Sequence, residues 1–129
     1  MIADHLTRIQ HLGIPTDKMH QTIEFYQKLG FELIYTESDQ SGKLEVAFFK
    51  LNNLIIESYL VNFIANQTGP IDHFAVNVTQ INSLFKKMKN ENYEIIETTI
   101  QQRSFLGKKM AFFTAFGPNG EKIEFNQIR

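Results

Sequence analysis

Four residues of this chain carry side chains that commonly bind divalent metal ions: His11, Glu57, His73 and Glu124. They form two His–Glu pairs in the same order, with a separation of 46 residues from position 11 to 57 and 51 from position 73 to 124. Imidazole nitrogens and carboxylate oxygens together suit borderline divalent ions such as Zn²⁺. If the two pairs meet, they make a metal site, and we therefore expect an enzyme.

The two pairs lie at equivalent positions of an internal repeat. A shift of 62 residues superposes the first two segments of the copies, and the third match needs five further residues in the second copy. The matching segments are Ile9–Ile14 with Ile71–Val76, Phe31–Ile34 with Tyr93–Ile96, and Ile56-Glu57 with Ile123-Glu124. We place the extra residues in or near the 99–110 loop. Self-similarity of this length indicates a duplicated structural unit.

Each copy reads as one strand, one helix and three further strands. The first helix is expected to follow Pro15, with Thr16 or Asp17 as N-cap and Gly30 as the stop, and the second to begin at Thr79. The predicted strands are Ile9–Ile14, Phe31–Thr36, Leu44–Leu51 and Leu54–Tyr59, then Ile71–Val78, Tyr93–Thr98, Lys109–Phe116 and Lys122–Gln127. The fold class is therefore α+β, a single domain over residues 1–129 built from module 1 (1–66) and module 2 (67–129).

Strand alternation puts all four candidate ligands on one type of face. Side chains of a strand alternate between its two sides. In the opening strands the more apolar set (Leu12 and Ile14 with Gln10, and the matching Phe74, Val76 and Val78) suits the helix, which leaves both histidines on the opposite face. The same alternation turns Glu57 and Glu124 away from the helices. A histidine or glutamate alone on a strand is more often structural, but four at equivalent positions favour a common site.

Composition excludes several other classes of function. A net charge of −1, without a basic stripe, disfavours binding to nucleic acid or to a membrane surface. The absence of cysteine excludes disulfides, thiolate metal sites and cysteine nucleophiles. The first residues lack the features of a signal peptide, and the most apolar window, residues 51–65, is too short to span a bilayer. A cytoplasmic protein is expected.

At this point the sequence resembles the vicinal oxygen chelate superfamily, which includes glyoxalase I, bleomycin-resistance proteins and extradiol dioxygenases, and it is most similar to glyoxalase I-like (lactoylglutathione lyase-like) proteins. The resemblance covers nearly the whole chain. It is carried by Ile9–Ile14, Ile23–Phe31, Ile71–Val76 and the segment Gly117–Phe125, whose Pro-Asn-Gly turn precedes Glu124.

The resemblance implies paired βαβββ modules, with a curved mixed sheet around a metal cleft. It implies one divalent ion per site, Zn, Ni, Co, Mn or Fe, and a homodimer in which His11 and Glu57 of one protomer meet His73 and Glu124 of its mate. A small substrate would chelate the ion through two vicinal oxygens. Glu124, with Glu57 opposite, would then move the proton as general base in a lyase or isomerase reaction.

The chain also departs from the short glyoxalase I proteins that it resembles. Those proteins usually carry an Arg four residues after the first His and an Asn four after the first Glu, where this chain has Pro15 and Val61. Both of these contacts to glutathione are therefore absent. Arg103, Lys108 and Lys109 could bind an anionic substrate instead, and a solvated charged loop is an equally good interpretation of them.

Four alternatives within the superfamily can be compared through the ligand set. Extradiol dioxygenases and fosfomycin-resistance transferases use three protein ligands, so the fourth residue, Glu57, disfavours both. Methylmalonyl-CoA epimerase typically has Gln at the Glu57 position, and an epimerase-like isomerase stays a rival by mechanism. A metal-free drug-binding protein of the bleomycin-resistance type is the alternative that is not an enzyme, and the presence of all four ligands counts against it.

Overall fold

Each copy of the repeat folds as a four-stranded mixed sheet with one helix packed on it. The structure is a computed structural model that describes residues 1–129. The chain divides into two compact units, Met1–Ile64 and Ala65–Arg129. The predicted α+β class is confirmed.

The first unit has the strand order β1-β4-β3-β2. Strands β1 and β4 are parallel, and the other neighbours are antiparallel. A short 3-10 turn at Ile2–Asp4 precedes the sheet. The elements are β1 (Leu12–Thr16), α1 (Met19–Lys28), β2 (Glu32–Ser38), β3 (Leu44–Leu51) and β4 (Leu54–Leu60).

The second unit repeats this topology in the order β5-β8-β7-β6. Its first and last strands are again the parallel pair, and the remaining neighbours are antiparallel. The elements are β5 (His73–Asn77), α2 (Ile81–Asn90), β6 (Gln101–Phe105), β7 (Lys108–Phe116) and β8 (Lys122–Ile128). Neither helix of the chain is long and apolar enough to cross a lipid bilayer.

Aromatic rings fill the space between helix and sheet in both units. In the first, the fully buried Tyr26 of α1 has ring centroids 5.2 Å from Phe31 and 5.4 Å from Phe49. In the second, Phe113 lies 5.1 Å from Phe85 of α2 and 5.2 Å from Phe125. Such ring pairs stabilise a core beyond the area that they bury.

The opening strands are shorter than predicted. The segments Ile9–Ile14 and Ile71–Val78 were expected to be strands, but β1 begins at Leu12 and β5 at His73. Ile9 and Ile71 are each 79% exposed, so an apolar side chain at these positions does not mark a buried strand. Both histidines therefore lie at or just before the first residue of a strand.

Both helices also begin later than predicted. Thr16 is the last residue of β1, where its hydroxyl accepts from the Lys18 amide at 2.9 Å and lies 3.0 Å from the Thr22 hydroxyl. Lys18 is the N-cap, not Thr16 or Asp17. The second helix begins at Ile81, not Thr79, and the Ile81 amide donates to the Gln127 side chain at 3.1 Å. Gly30 ends the first helix as predicted, with φ of +100°.

One predicted strand is wrong. The segment Tyr93–Thr98 forms only a single bridge, from Ile95 to Ala115, and the edge strand is instead β6, Gln101–Phe105, inside the predicted loop. Two residues after Ile95, the Glu97 carboxylate accepts from the Thr114 amide at 2.6 Å. A side chain thus takes the place of a backbone carbonyl, and the ladder stops there.

The extra residues of the second copy are divided between two places. Cross-strand pairing makes Leu33 equivalent to Ile95 with an offset of 62, and Phe49 equivalent to Ala115 with an offset of 66. The offset from Glu57 to Glu124 is 67. Four extra residues therefore lie between 95 and 115, which includes the predicted loop, and the fifth lies in the final hairpin.

The turn between β2 and β3 is organised by Asp39. Its Oδ1 accepts from the Ser41 hydroxyl at 2.6 Å, from the Ser41 amide at 2.9 Å and from the Lys43 amide at 2.9 Å. The hydrogen bond from the Ser41 hydroxyl, followed by that from the Lys43 amide, holds the pKa of the Asp39 carboxyl below its ordinary value of 3.8.

We expect an NMR titration of wild-type protein to show this lowered pKa. Ser41→Ala should move the Asp39 pKa back toward 3.8, because it removes the largest cause of the shift. Because the pKa of Asp39 is lower in the folded state than in the unfolded state, its ionised carboxylate stabilises the fold fully above the unfolded pKa. This stabilisation is lost as the pH falls through the folded pKa. Asp4, with no bond to Ser41, is the internal control. An unchanged Asp39 pKa in the variant would contradict this account of the turn.

Candidate metal centre

Burial alternates along the strands that carry the four candidate ligands. In β4, Ile56 and Ser58 are fully buried, whereas the Glu57 side chain is 28% exposed. In β8, Ile123 and Phe125 are buried on either side of Glu124. The glutamates thus lie on the face turned away from the helical core, which confirms the prediction from strand alternation. We call this the open face of each sheet.

In the first unit, His11 and Glu57 are in direct contact. The His11 Nε2 atom lies 3.2 Å from Glu57 Oε1, and both side chains are about one-third exposed. The other ring nitrogen, Nδ1, lies 2.9 Å from the side-chain oxygen of Gln10. Because an amide oxygen only accepts, Nδ1 carries the hydrogen of this bond.

The second unit repeats this arrangement. The His73 Nε2 atom lies 3.7 Å from Glu124 Oε1, and the Glu124 side chain is only 13% exposed. The Nδ1 atom of His73 donates to Asp72 Oδ2 at 3.0 Å. In both units the residue directly before the histidine therefore holds Nδ1, and Nε2 points at the glutamate.

In this geometry each His–Glu contact is favourable only when a positive charge lies between the imidazole and the carboxylate. With Nδ1 protonated, the Nε2 atom of a neutral imidazole carries a lone pair, which a carboxylate oxygen repels. The contact is favourable only with a proton on Nε2 or with a cation bound by both atoms. Two ligands at right angles on one ion, each about 2.1 Å away, are about 3 Å apart. The 3.2 Å separation in the first unit is close to that value.

Further polar contacts fix the second pair. The Asn126 amide donates to Glu124 Oε2 at 2.8 Å, which orients the carboxylate. Lys122 Nζ donates to Asp72 Oδ1 at 3.0 Å. The hydrogen bond from His73, and after it that from Lys122, lowers the pKa of the Asp72 carboxyl, which therefore stays ionised and accepting. Such outer partners set the orientation and basicity of a metal-binding imidazole.

The surroundings of the two pairs differ. Beside the first, Phe48 contacts the His11 ring edge-on at 6.1 Å and lies 6.1 Å from the Tyr35 ring. Beside the second is a cleft of about 380 Å³. It is lined by Asn77, Asn126, Arg103, Phe105 and Met110 among others, together with His73 and Glu124. The first pair thus lies beside aromatic rings, and the second beside a cleft with both polar and apolar walls.

The structure brings the four predicted residues together as two pairs. Neither unit contains a group of three or more His, Cys, Asp or Glu side chains able to hold a metal ion. Each pair alone supplies fewer ligands than the three or four of a typical protein-bound zinc. Metal binding and catalysis by these four residues stay predictions.

Sequence reasoning missed the groups that hold the histidines. Gln10 was expected to share the helix-facing side with Leu12, but it precedes β1, so strand alternation does not apply, and its side chain bonds His11. Asp72 was not singled out, and Asn126 was not considered as a hydrogen-bond partner of Glu124. The available signal was an acceptor side chain directly before both histidines. Lys122, the first residue of β8, forms an ion pair with Asp72.

Comparison with known proteins agrees with this architecture. The family model of the Glyoxalase/Bleomycin resistance protein/Dioxygenase superfamily matches residues 8–125. The chain belongs to this superfamily. The match spans both units and includes all four residues of the candidate centre. No curated protein matches the sequence.

Several solved structures share the superfamily fold. The glyoxalase family protein from Enterococcus faecalis is 26% identical, with a TM-score of 0.71 over 92% of this chain and 96% of that one. A glyoxalase family protein from Bacillus anthracis is 19% identical, with a TM-score of 0.71 and coverage of 97% and 98%. The fosfomycin resistance protein of Listeria monocytogenes is 16% identical, with a TM-score of 0.68 and coverage of 95% and 93%.

Proposed function

We propose that the protein is a metal-dependent lyase or isomerase of the glyoxalase I class, acting on a small substrate with two vicinal oxygens. One observation carries the proposal: two equivalent His–Glu pairs, each with Nε2 facing a carboxylate oxygen at 3.2 or 3.7 Å. Membership of a superfamily that includes glyoxalases and dioxygenases supports it.

The donor set fits a divalent ion. In each pair the Nδ1 hydrogen is held by an acceptor, Gln10 or Asp72, so that Nε2 is the free ligand atom. Both glutamates present Oε1 to that atom. Two nitrogens and two carboxylate oxygens suit Zn, Ni, Co, Mn or Fe, and leave positions open for substrate in an octahedral site.

Two pairs are needed for one complete site. Because each pair supplies only two ligands, we propose a homodimer in which His11 and Glu57 of one protomer share an ion with the second pair of the other. This arrangement follows the resemblance to short glyoxalase I proteins. It gives the dimer two sites, or one ion per chain.

The reaction we propose is a proton transfer at a carbon next to the chelated oxygens. When bound, the ion would act as a Lewis acid toward those two oxygens. Glu124 would take the proton from that carbon and return it, with Glu57 on the opposite side. The Asn126 amide holds Glu124 through Oε2, which leaves Oε1 directed at the centre.

Glutathione is not part of the proposal. Pro15 and Val61 stand where the short glyoxalase I proteins have an Arg and an Asn that contact it, and neither side chain can replace a charge or an amide. The thiol carrier, if the reaction has one, must be held by other residues.

Metal analysis is the direct test. Protein purified without chelator should contain about one divalent ion per chain, and added ion should raise the free energy of unfolding with the logarithm of its free concentration. The control is His20→Ala, which removes an exposed histidine on α1 outside both pairs and should keep the full metal content. Wild-type protein without metal after growth in metal-supplemented medium would overturn the proposal.

A metal-free drug-binding protein is the second candidate. It is favoured by the absence of any group of three ligands within one unit. It predicts that binding of a small molecule is unaffected by a chelator, whereas an enzyme of the glyoxalase I class loses substrate binding. An epimerase-like isomerase would share the metal requirement and differ in substrate.

A further inference from the structure

We infer that Arg103 selects substrates with a second, anionic group, held at the opposite end of the cleft from Glu124. The inference rests on the proposed function for the position of the reacting end. It concerns only the second unit, where Arg103, His73 and Glu124 line the same cleft of about 380 Å³.

The register of the sheet gives the distance between the two ends. Phe112 on β7 lies opposite Asn126, which is two residues beyond Glu124 on β8. One strand spacing and two residues of rise place Phe112 about 8 Å from Glu124, backbone to backbone. The Arg103 guanidinium lies over the Phe112 ring, 5.1 Å from its centroid. The cation thus sits roughly 8–10 Å from the glutamate along the sheet.

The charges at the two ends are opposite. Glu124 already has His73 and Asn126 as partners, and its negative charge repels an anion placed beside it. Arg103 takes part in none of the ion pairs of the structure. A guanidinium fixed over an aromatic face keeps its in-plane donors free for a carboxylate or phosphate. Arg103 therefore offers the positive charge for a second anionic group, in addition to the oxygens that the proposed ion would bind.

The other walls of the cleft suit the aliphatic chain that would join the two ends of the substrate. Phe105, Met110 and Ile128 are apolar, and Met110 lies between Arg103 and Ile128 across the sheet. Lys108 and Lys109, which the sequence suggested as equal candidates for anion binding, do not line the cleft. The substrate class is a short aliphatic chain with vicinal oxygens at one end and a carboxylate or phosphate at the other.

Two matched pairs of compounds test this inference by calorimetry on the metal-loaded full-length protein. The first pair is 2-hydroxyhexanedioate and 2-hydroxyhexanoate, which share the vicinal oxygens and differ in the far carboxylate. The second is hexanedioate and hexanoate, which lack the hydroxyl. Wild-type protein should bind each diacid about five- to tenfold more tightly than its monoacid, from one charge-assisted contact at a partly exposed site.

Arg103→Gln should abolish the preference for the diacids while monoacid binding stays unchanged. Lys109→Gln, with the same loss of charge on the same hairpin but outside the cleft, should keep the preference. A preference that survives in Arg103→Gln, or that is absent in wild type, overturns the inference. A chelator separates the two proposals: if it leaves binding of both hydroxy acids unchanged, the proposed metal function fails, while the Arg103 preference is still read from the ratio within each pair.

Discussion

Glu124→Gln is expected to lower the rate of proton transfer by about 10²- to 10⁴-fold, the usual contribution of a positioned general base. The amide keeps the size of the side chain and loses the charge. Its contacts to His73 at 3.7 Å and Asn126 at 2.8 Å place this carboxylate at the centre of the second pair. Zinc affinity should fall in the same variant, because one charged ligand is lost.

Two measurements separate the roles of Glu124. Deuterium exchange at the hydroxyl-bearing carbon of hydroxyacetone, followed by NMR, reports the proton transfer, and calorimetry with Zn²⁺ reports the ligand role. Glu94→Gln is the matched control, since Glu94 is exposed and outside the cleft. If Glu124→Gln binds zinc as tightly as the wild type and exchanges deuterium at the same rate, Glu124 is neither ligand nor base.

Phe113→Ala is expected to have the largest effect on stability, about 3–5 kcal/mol in the free energy of unfolding. Phe113 is fully buried, stacks on Phe125 at 5.2 Å and contacts Phe85 edge-on at 5.1 Å. Truncation removes both ring contacts and leaves a cavity between α2 and its sheet, because neighbouring side chains relax only in part.

Urea unfolding at equilibrium measures this effect, with the midpoint and slope fitted separately. Phe63→Ala is the control, because Phe63 is 83% exposed and its loss should change the unfolding free energy by no more than about 0.5 kcal/mol. Equal midpoints for the two variants would mean that the Phe113 cluster does not limit the stability of the chain.

Periodicity predicted what repeats along this chain. The duplicated unit follows from the self-similarity of the two halves, and the open face that carries Glu57 and Glu124 follows from the alternation of apolar and polar residues along the strands. Strand β3 was predicted with its observed bounds, Leu44–Leu51, because turn residues flank it on both sides.

What periodicity could not predict depends on single side chains. The Glu97 carboxylate stops one strand, the Thr16 hydroxyl displaces a helix start, and Gln10 and Asp72 hold the histidines, each through hydrogen bonds without a sequence period. The setting of Glu57 is likewise not given by its apolar neighbours in sequence, because its side chain is 28% exposed and contacts His11.

In the second unit, the break in the edge strand at residues 95–101 lies between the duplicated frame and the hairpin of β6 and β7. His73 and Glu124 match His11 and Glu57 of the first unit and belong to the duplicated frame. The hairpin of β6 and β7 carries Arg103 and joins that frame through the pairing of β7 with β8. Under the proposed function, substitutions in this hairpin would change substrate preference while the His73–Glu124 pair stays in place.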